Sequence, residues 1–126
     1  CGKGECGACT VLVDNRPINA CLMLAVEANN REVLTVEGLG EGEALDPIQQ
    51  SMIDNSAIQC GYCIPGIAMS AKGLLLRNPS PTRDEVVDAI SGNLCRCTGY
   101  ARVIDSILEA SENSRSQDKG VNNSGT

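Results

Sequence analysis

Apolar and polar positions change rhythm twice along this chain of 126 residues. TVLVD (10–14) and INACLMLAV (18–26) are dense in aliphatic residues and predict two strands. A tight turn at Asn15 and Arg16 is expected between them, so that Asp14 faces Pro17 and Thr10 faces Cys21. Asn29-Asn30 predicts a further turn, and EVLTVE (32–37) a third strand. GLGEGEAL (38–45) is glycine-rich and acidic, offers nothing to bury, and predicts a linker over 38–46.

Beyond the linker the period becomes helical. Asp46 can cap a short helix from Pro47, with Ile48 and Met52 on one face. Pro65 opens a second helix over 65–77, whose stripe is Ile67, Ala71, Leu74 and Leu75, and Asn78-Pro79 stops it. TRDE (82–85) matches a capping box ahead of Val86 and Ile90, and Gly92 ends that helix. A fourth helix is expected near 100–110, burying Ile104, Ile107 and Leu108. Residues 47–77 and 82–110 thus repeat one plan: short helix, cysteine loop, longer helix. The remaining 111–126 are polar and predict a disordered tail.

Composition narrows the function. The only aromatics are Tyr62 and Tyr100, histidine is absent, and the net charge is −6. Bases would find neither a stacking platform nor a basic surface, which argues against nucleic acid. No apolar run approaches the roughly 20 residues of a membrane span.

The eight cysteines change the picture most. Cys1, Cys6, Cys9 and Cys21 are spaced C-x4-C-x2-C-x11-C, and Cys60, Cys63, Cys95 and Cys97 are spaced C-x2-C-x31-C-x-C. The first spacing is the plant-type [2Fe-2S] pattern. Gly2, Gly4 and Gly7 permit positive φ there, so that backbone N–H groups can point at the sulfurs. In the second group each pair precedes a helix, whose positive end suits an anionic cluster. Structural zinc and disulfides are the competing readings of both groups, zinc more seriously for the second.

CGKGECGACTVLVD, AIQCGYCIPGIAMSAKGLL and SGNLCRCTGY together resemble the small iron–sulfur subunit of the molybdenum hydroxylases, a family that includes xanthine dehydrogenase, aldehyde oxidoreductase and aerobic carbon monoxide dehydrogenase. The resemblance covers residues 1–110. It implies an α+β fold, with a plant ferredoxin-like β-grasp part in residues 1–37 and a four-helix part with a pseudo-two-fold in 47–110. Each part would hold one [2Fe-2S] cluster, on Cys1, Cys6, Cys9 and Cys21 and on Cys60, Cys63, Cys95 and Cys97. The resemblance further implies molybdopterin on a large partner subunit and FAD on another, with electrons relayed one at a time between them. Gln59 would contact the pterin, Cys97 would lie close to it, and no residue here would be catalytic. Arg96 and Tyr100 are expected to be structural.

Members of the family begin earlier, with a strand pair and a helix ahead of the first cysteine, so the chain reads as a truncated fragment with an exposed hairpin edge. Such a fragment is expected to hold the helical cluster better than the ferredoxin-like one. The cytoplasm is the expected compartment, because cluster assembly needs reduced thiols, and any export signal would precede Cys1. The alternatives from other classes are a free-standing two-cluster carrier and a zinc-stapled scaffold.

Overall fold

The structure, a computed structural model, describes residues 1–121, with side-chain detail as far as residue 116. Three short strands precede four helices. Strands β1 (Thr10–Val13) and β2 (Arg16–Asn19) form an antiparallel hairpin, and β3 (Val33–Leu34) pairs antiparallel with the other edge of β1. The fold is α+β, as expected.

The hairpin register differs from the expected one by two residues. Val13 faces Arg16 and Thr10 faces Asn19, so the turn is Asp14-Asn15 rather than Asn15-Arg16. Both turn residues adopt positive φ, 49° and 65°, which Asp and Asn tolerate and Arg does not favour. Asp14 then fixes the turn to the third strand, accepting from Arg31 Nη1 at 2.9 Å and from the Glu32 amide at 3.1 Å. The second strand also ends early, at Asn19, and 3-10 turns over Ala20–Leu22 and Ala25–Ala28 replace the rest of it. The third is shortened in the same way by a 3-10 turn at Val36–Gly38.

The helices follow the sequence pattern closely at their starts. Helix α1 (Pro47–Asp54) is capped by Asp46, and α3 (Arg83–Ile90) by Thr82, each with a full capping box. Helix α2 spans Ile64–Arg77 and α4 spans Ala101–Val121. Asp46 is buried and also takes an ion pair from Lys72 Nζ at 2.6 Å, so the cap of α1 is tied to α2.

Helix α4 runs well past the expected end. Residues 111–121 are helical, not a disordered tail, and Ala110 and Ser111 are buried. The polar side chains there satisfy themselves on the helix: Ser111 Oγ donates to Leu108 O at 2.6 Å, and Ser114 Oγ to Ala110 O at 2.9 Å. Arg115 reaches back to Ser80 Oγ at 3.0 Å. Residues 122–126 of the expected tail lie outside the described residues.

One apolar cluster runs through the molecule, from Leu12 of β1 through Ile48, Met52, Ile67 and Val86 to Ile107 of α4. Each such fully buried side chain contributes about 1.5–3 kcal/mol. The hairpin reaches this cluster because α2 has no side chain at Gly73: a Cβ there would stand 2.5 Å from Pro17 Cγ. The expected linker also contributes. Leu39 is buried in the cluster, since the turn at Val36–Gly38 folds the chain back, with Val36 and Leu34 beside it. Among the described residues, no helix is long and apolar enough to cross a membrane.

Candidate metal centres

The opening loop wraps around a space rather than filling it. Gly2, Gly4 and Gly7 have φ of 69°, 72° and 71°, the left-handed conformation that glycine adopts without strain. The curved loop leaves a cavity of about 320 Å³ lined by Cys1, Cys6, Ala8, Cys9, Cys21 and Tyr62. Although Cys21 lies beyond the end of β2, the hairpin still delivers it. Ala20 N–H donates to Cys9 O at 3.3 Å, and Cys21 N–H donates to Cys9 Sγ at 3.4 Å. That amide is the main reason the Cys9 thiol sits below its ordinary value. Cys6 is lowered chiefly by the Ala8 amide. Backbone N–H groups therefore favour thiolate at this site, as an anionic cluster requires.

The second group gathers where α2 and α4 begin. Cys60 and Cys63 lead directly into α2, with Cys63 at its N-cap, and Cys95 and Cys97 lie on the loop before α4. The thiols meet in pairs across these loops. The neighbouring Cys60 thiol raises Cys97. Cys60 is lowered, first by the Tyr62 amide and then by Cys97. Burial pushes Cys63 up to about 12, helped by the neighbouring Cys95 thiol. Burial also raises Cys95, but the Thr98 hydroxyl and amide, with Cys63, outweigh it and bring the thiol to about 7.

All eight cysteines are free thiols, so no disulfide competes for them. Among the described residues, no three His, Cys, Asp or Glu side chains gather as the ligands of a single ion. A [2Fe-2S] core takes four thiolates, and each of the two groups offers four free thiols that could hold one.

The two sites are in direct contact. Leu94 N–H donates to Cys6 O at 2.9 Å, and Asn93 Nδ2 donates to Gly7 O at 3.0 Å. A Cβ on Gly66, in the first turn of α2, would stand 2.1 Å from Gly7 O, so the first loop rests on the helix that begins in the second site. Tyr62 lies between two second-site cysteines in sequence yet lines the first cavity. Gln59 is exposed, in a separate recess of about 380 Å³ with Ser56, Ala57, Thr98, Ala101 and Arg102.

Sequence reasoning did not single out Asn93, Tyr62 or Thr98. All three lie inside the cysteine motifs, but periodicity does not mark an isolated polar or aromatic loop residue. Tyr100 is structural, as expected: its hydroxyl accepts from Cys95 N–H at 2.8 Å and donates to Asn93 O at 3.0 Å.

Residues 35–108 match the family described as [2Fe-2S] binding domain. The chain is 49% identical over 110 residues to the nicotine 6-hydroxylase small subunit of Paenarthrobacter nicotinovorans, covering 87% of this chain and 66% of that protein. It belongs to the iron–sulfur subunit family of the molybdenum hydroxylases. A second member, the nicotinate dehydrogenase small FeS subunit of Eubacterium barkeri, is 46% identical over 112 residues, 89% of this chain and 71% of that one. The chain thus spans about two thirds of the length of these curated relatives. Among solved members of the family, quinoline 2-oxidoreductase from Pseudomonas putida 86 superposes with a TM-score of 0.87 at 47% identity, covering 92% of this chain and 73% of that one. Aldehyde oxidoreductase from Desulfovibrio gigas superposes with a TM-score of 0.88 at 38% identity, covering 93% of this chain and 13% of that one.

Proposed function

We propose that this chain is an electron-transfer subunit that relays electrons, one at a time, from a molybdopterin centre on a large partner subunit towards FAD on another. The observation that carries the reading is the pair of four-thiol sites in contact, with Leu94 N–H on Cys6 O at 2.9 Å. A bound [2Fe-2S] cluster supplies reversible uptake of a single electron, and two adjacent sites make a relay.

The chain's own residues would do the rest. Cys1, Cys6, Cys9 and Cys21 would hold one cluster, and Cys60, Cys63, Cys95 and Cys97 the other. The positive φ of Gly2, Gly4 and Gly7 turns the first loop around its cavity, and the Ala8 and Cys21 amides stabilise negative charge on Cys6 and Cys9. No acid–base or nucleophilic role falls to these thiols.

Residues 1–37 and 47–110 are read as the parts serving the first and second clusters. The pseudo-two-fold is supported by the likeness of α1 and α3, each 8 residues long with a capping box, and each followed by a cysteine loop and a longer helix. Gln59, which lines a recess with Thr98, is read as the pterin contact. The substrate pocket would lie on the molybdenum subunit, and an N-heteroaromatic substrate is favoured by the names of the nicotine and nicotinate relatives. The compartment inferred is the cytoplasm, where thiols stay reduced.

Iron and acid-labile sulfide analysis tests this reading. The anaerobically reconstituted chain should carry about four irons, and Cys9→Ser and Cys95→Ser should each lose about two. Zinc without sulfide would sink the proposal. Co-purification with a large molybdenum subunit separates it from a free-standing carrier.

A further inference from the structure

Asn93 belongs to the second cysteine loop, two residues before Cys95, yet its side chain serves the first. It is 3% exposed and fully engaged. Its Oδ1 accepts from Ser70 Oγ at 2.8 Å, which fixes the carboxamide so that Nδ2 points at the opening loop. Nδ2 donates to Gly7 O at 3.0 Å and approaches Thr10 Oγ1 at 3.3 Å. The same carbonyl accepts from Thr10 Oγ1 at 2.6 Å and from Thr10 N–H at 3.2 Å.

Gly7 C=O and Ala8 N–H are the two ends of one planar peptide unit. Ala8 lines the cavity shared by the first four cysteines, and its amide is the leading cause that holds the Cys6 thiol below its ordinary value. Donors on the carbonyl end fix the tilt of the peptide plane, and they polarise it so that its N–H becomes a stronger donor. Hydrogen bonds to cluster sulfurs stabilise the added negative charge of the reduced form.

We propose that Asn93 and Thr10 are positioning residues that set the reduction potential of the first cluster through the Gly7–Ala8 peptide. A residue on the loop of one cluster thereby tunes the other. The inference rests on the proposed two-cluster function, and goes beyond it by naming which residues separate the two potentials.

The test is an anaerobic EPR redox titration of the full reconstituted chain, with iron counted on each sample. The first cluster's signal is the one that Cys9→Ser abolishes. Thr10→Val, close to isosteric, removes one donor from the Gly7 carbonyl, and Asn93→Ala removes another. Each should make the first cluster harder to reduce by about threefold to tenfold, about 30–60 mV for a one-electron couple. Thr10→Val should leave the second midpoint unmoved and both iron complements intact. Full loading with an unmoved first midpoint in both variants would overturn the relay alone. Loss of iron or a broadened first signal without a midpoint shift would make the two residues merely structural. A wild-type chain that takes up no first cluster would overturn the two-cluster reading, and the relay with it.

Discussion

Thr98 Oγ1 stands 3.0 Å from Cys95 Sγ, while the Tyr100 amide donates to the same oxygen at 3.2 Å. Once Cys95 is a thiolate its sulfur can only accept, so the Thr98 hydroxyl is then the donor. Thr98→Val should therefore raise the Cys95 thiol of the metal-free chain above its value of about 7. In the loaded chain it should lower the second cluster's midpoint, while Thr98→Ser restores both. The pH profile of Cys95 alkylation and an EPR titration check the two halves; an unchanged profile in Thr98→Val would contradict the assignment.

The buried Cys63 and half-buried Cys95 thiols predict a divided pH response. The thiol of Cys95 lies below the ordinary value of 9.0, so its contribution to stability is present above pH 9 and lost as pH falls through about 7. That of Cys63 is raised, so its contribution is present below pH 9 and lost as pH rises through about 12. Iodoacetamide labelling of the metal-free chain should follow the same order. Cys95 should react increasingly through pH 7 and level off by about pH 8, with Cys63 protected throughout. Equal labelling of both at pH 8 would contradict it.

Gly66 has no room for a side chain beneath the first loop, since a Cβ would stand 2.1 Å from Gly7 O. Gly66→Ala should push that loop away and cost the chain about two of its four irons. The second cluster's signal should survive. Retention of both clusters with unchanged resistance to chelators would show that the contact is dispensable.

The two helix caps should differ in worth. Thr82 is exposed, and Thr82→Ala should cost about 1 kcal/mol. Asp46 is buried and holds Lys72 as well, so Asp46→Ala should cost about 2–4 kcal/mol. Denaturant unfolding of the two variants measures the difference, and equal losses would mean that the ion pair adds nothing.

These sites also mark how far the sequence could be read. Asp46 and Thr82 were legible as caps because a capping box is local chemistry, and the stripes beginning at Ile48, Ile67 and Val86 were legible because burial follows the helical period. The hairpin was misread by two residues because Asp14-Asn15 and Asn15-Arg16 are both polar pairs between aliphatic runs. Only the positive φ of both Asp14 and Asn15 decides between them. Helix α4 outran its expected end because serines that satisfy themselves on the preceding turn look like tail residues in a hydropathy pattern. The two sets of four cysteines were plain from spacing. The contacts joining them were not, since Asn93 meets Gly7 across 86 positions of sequence.

The central claim is that two separate [2Fe-2S] clusters sit side by side in this chain. EPR of the dithionite-reduced, anaerobically reconstituted protein tests it most directly. The account predicts two distinct signals from about four irons per chain, broadened by mutual coupling when both clusters are reduced. A single signal from about two irons, or a colourless protein holding zinc, would contradict it.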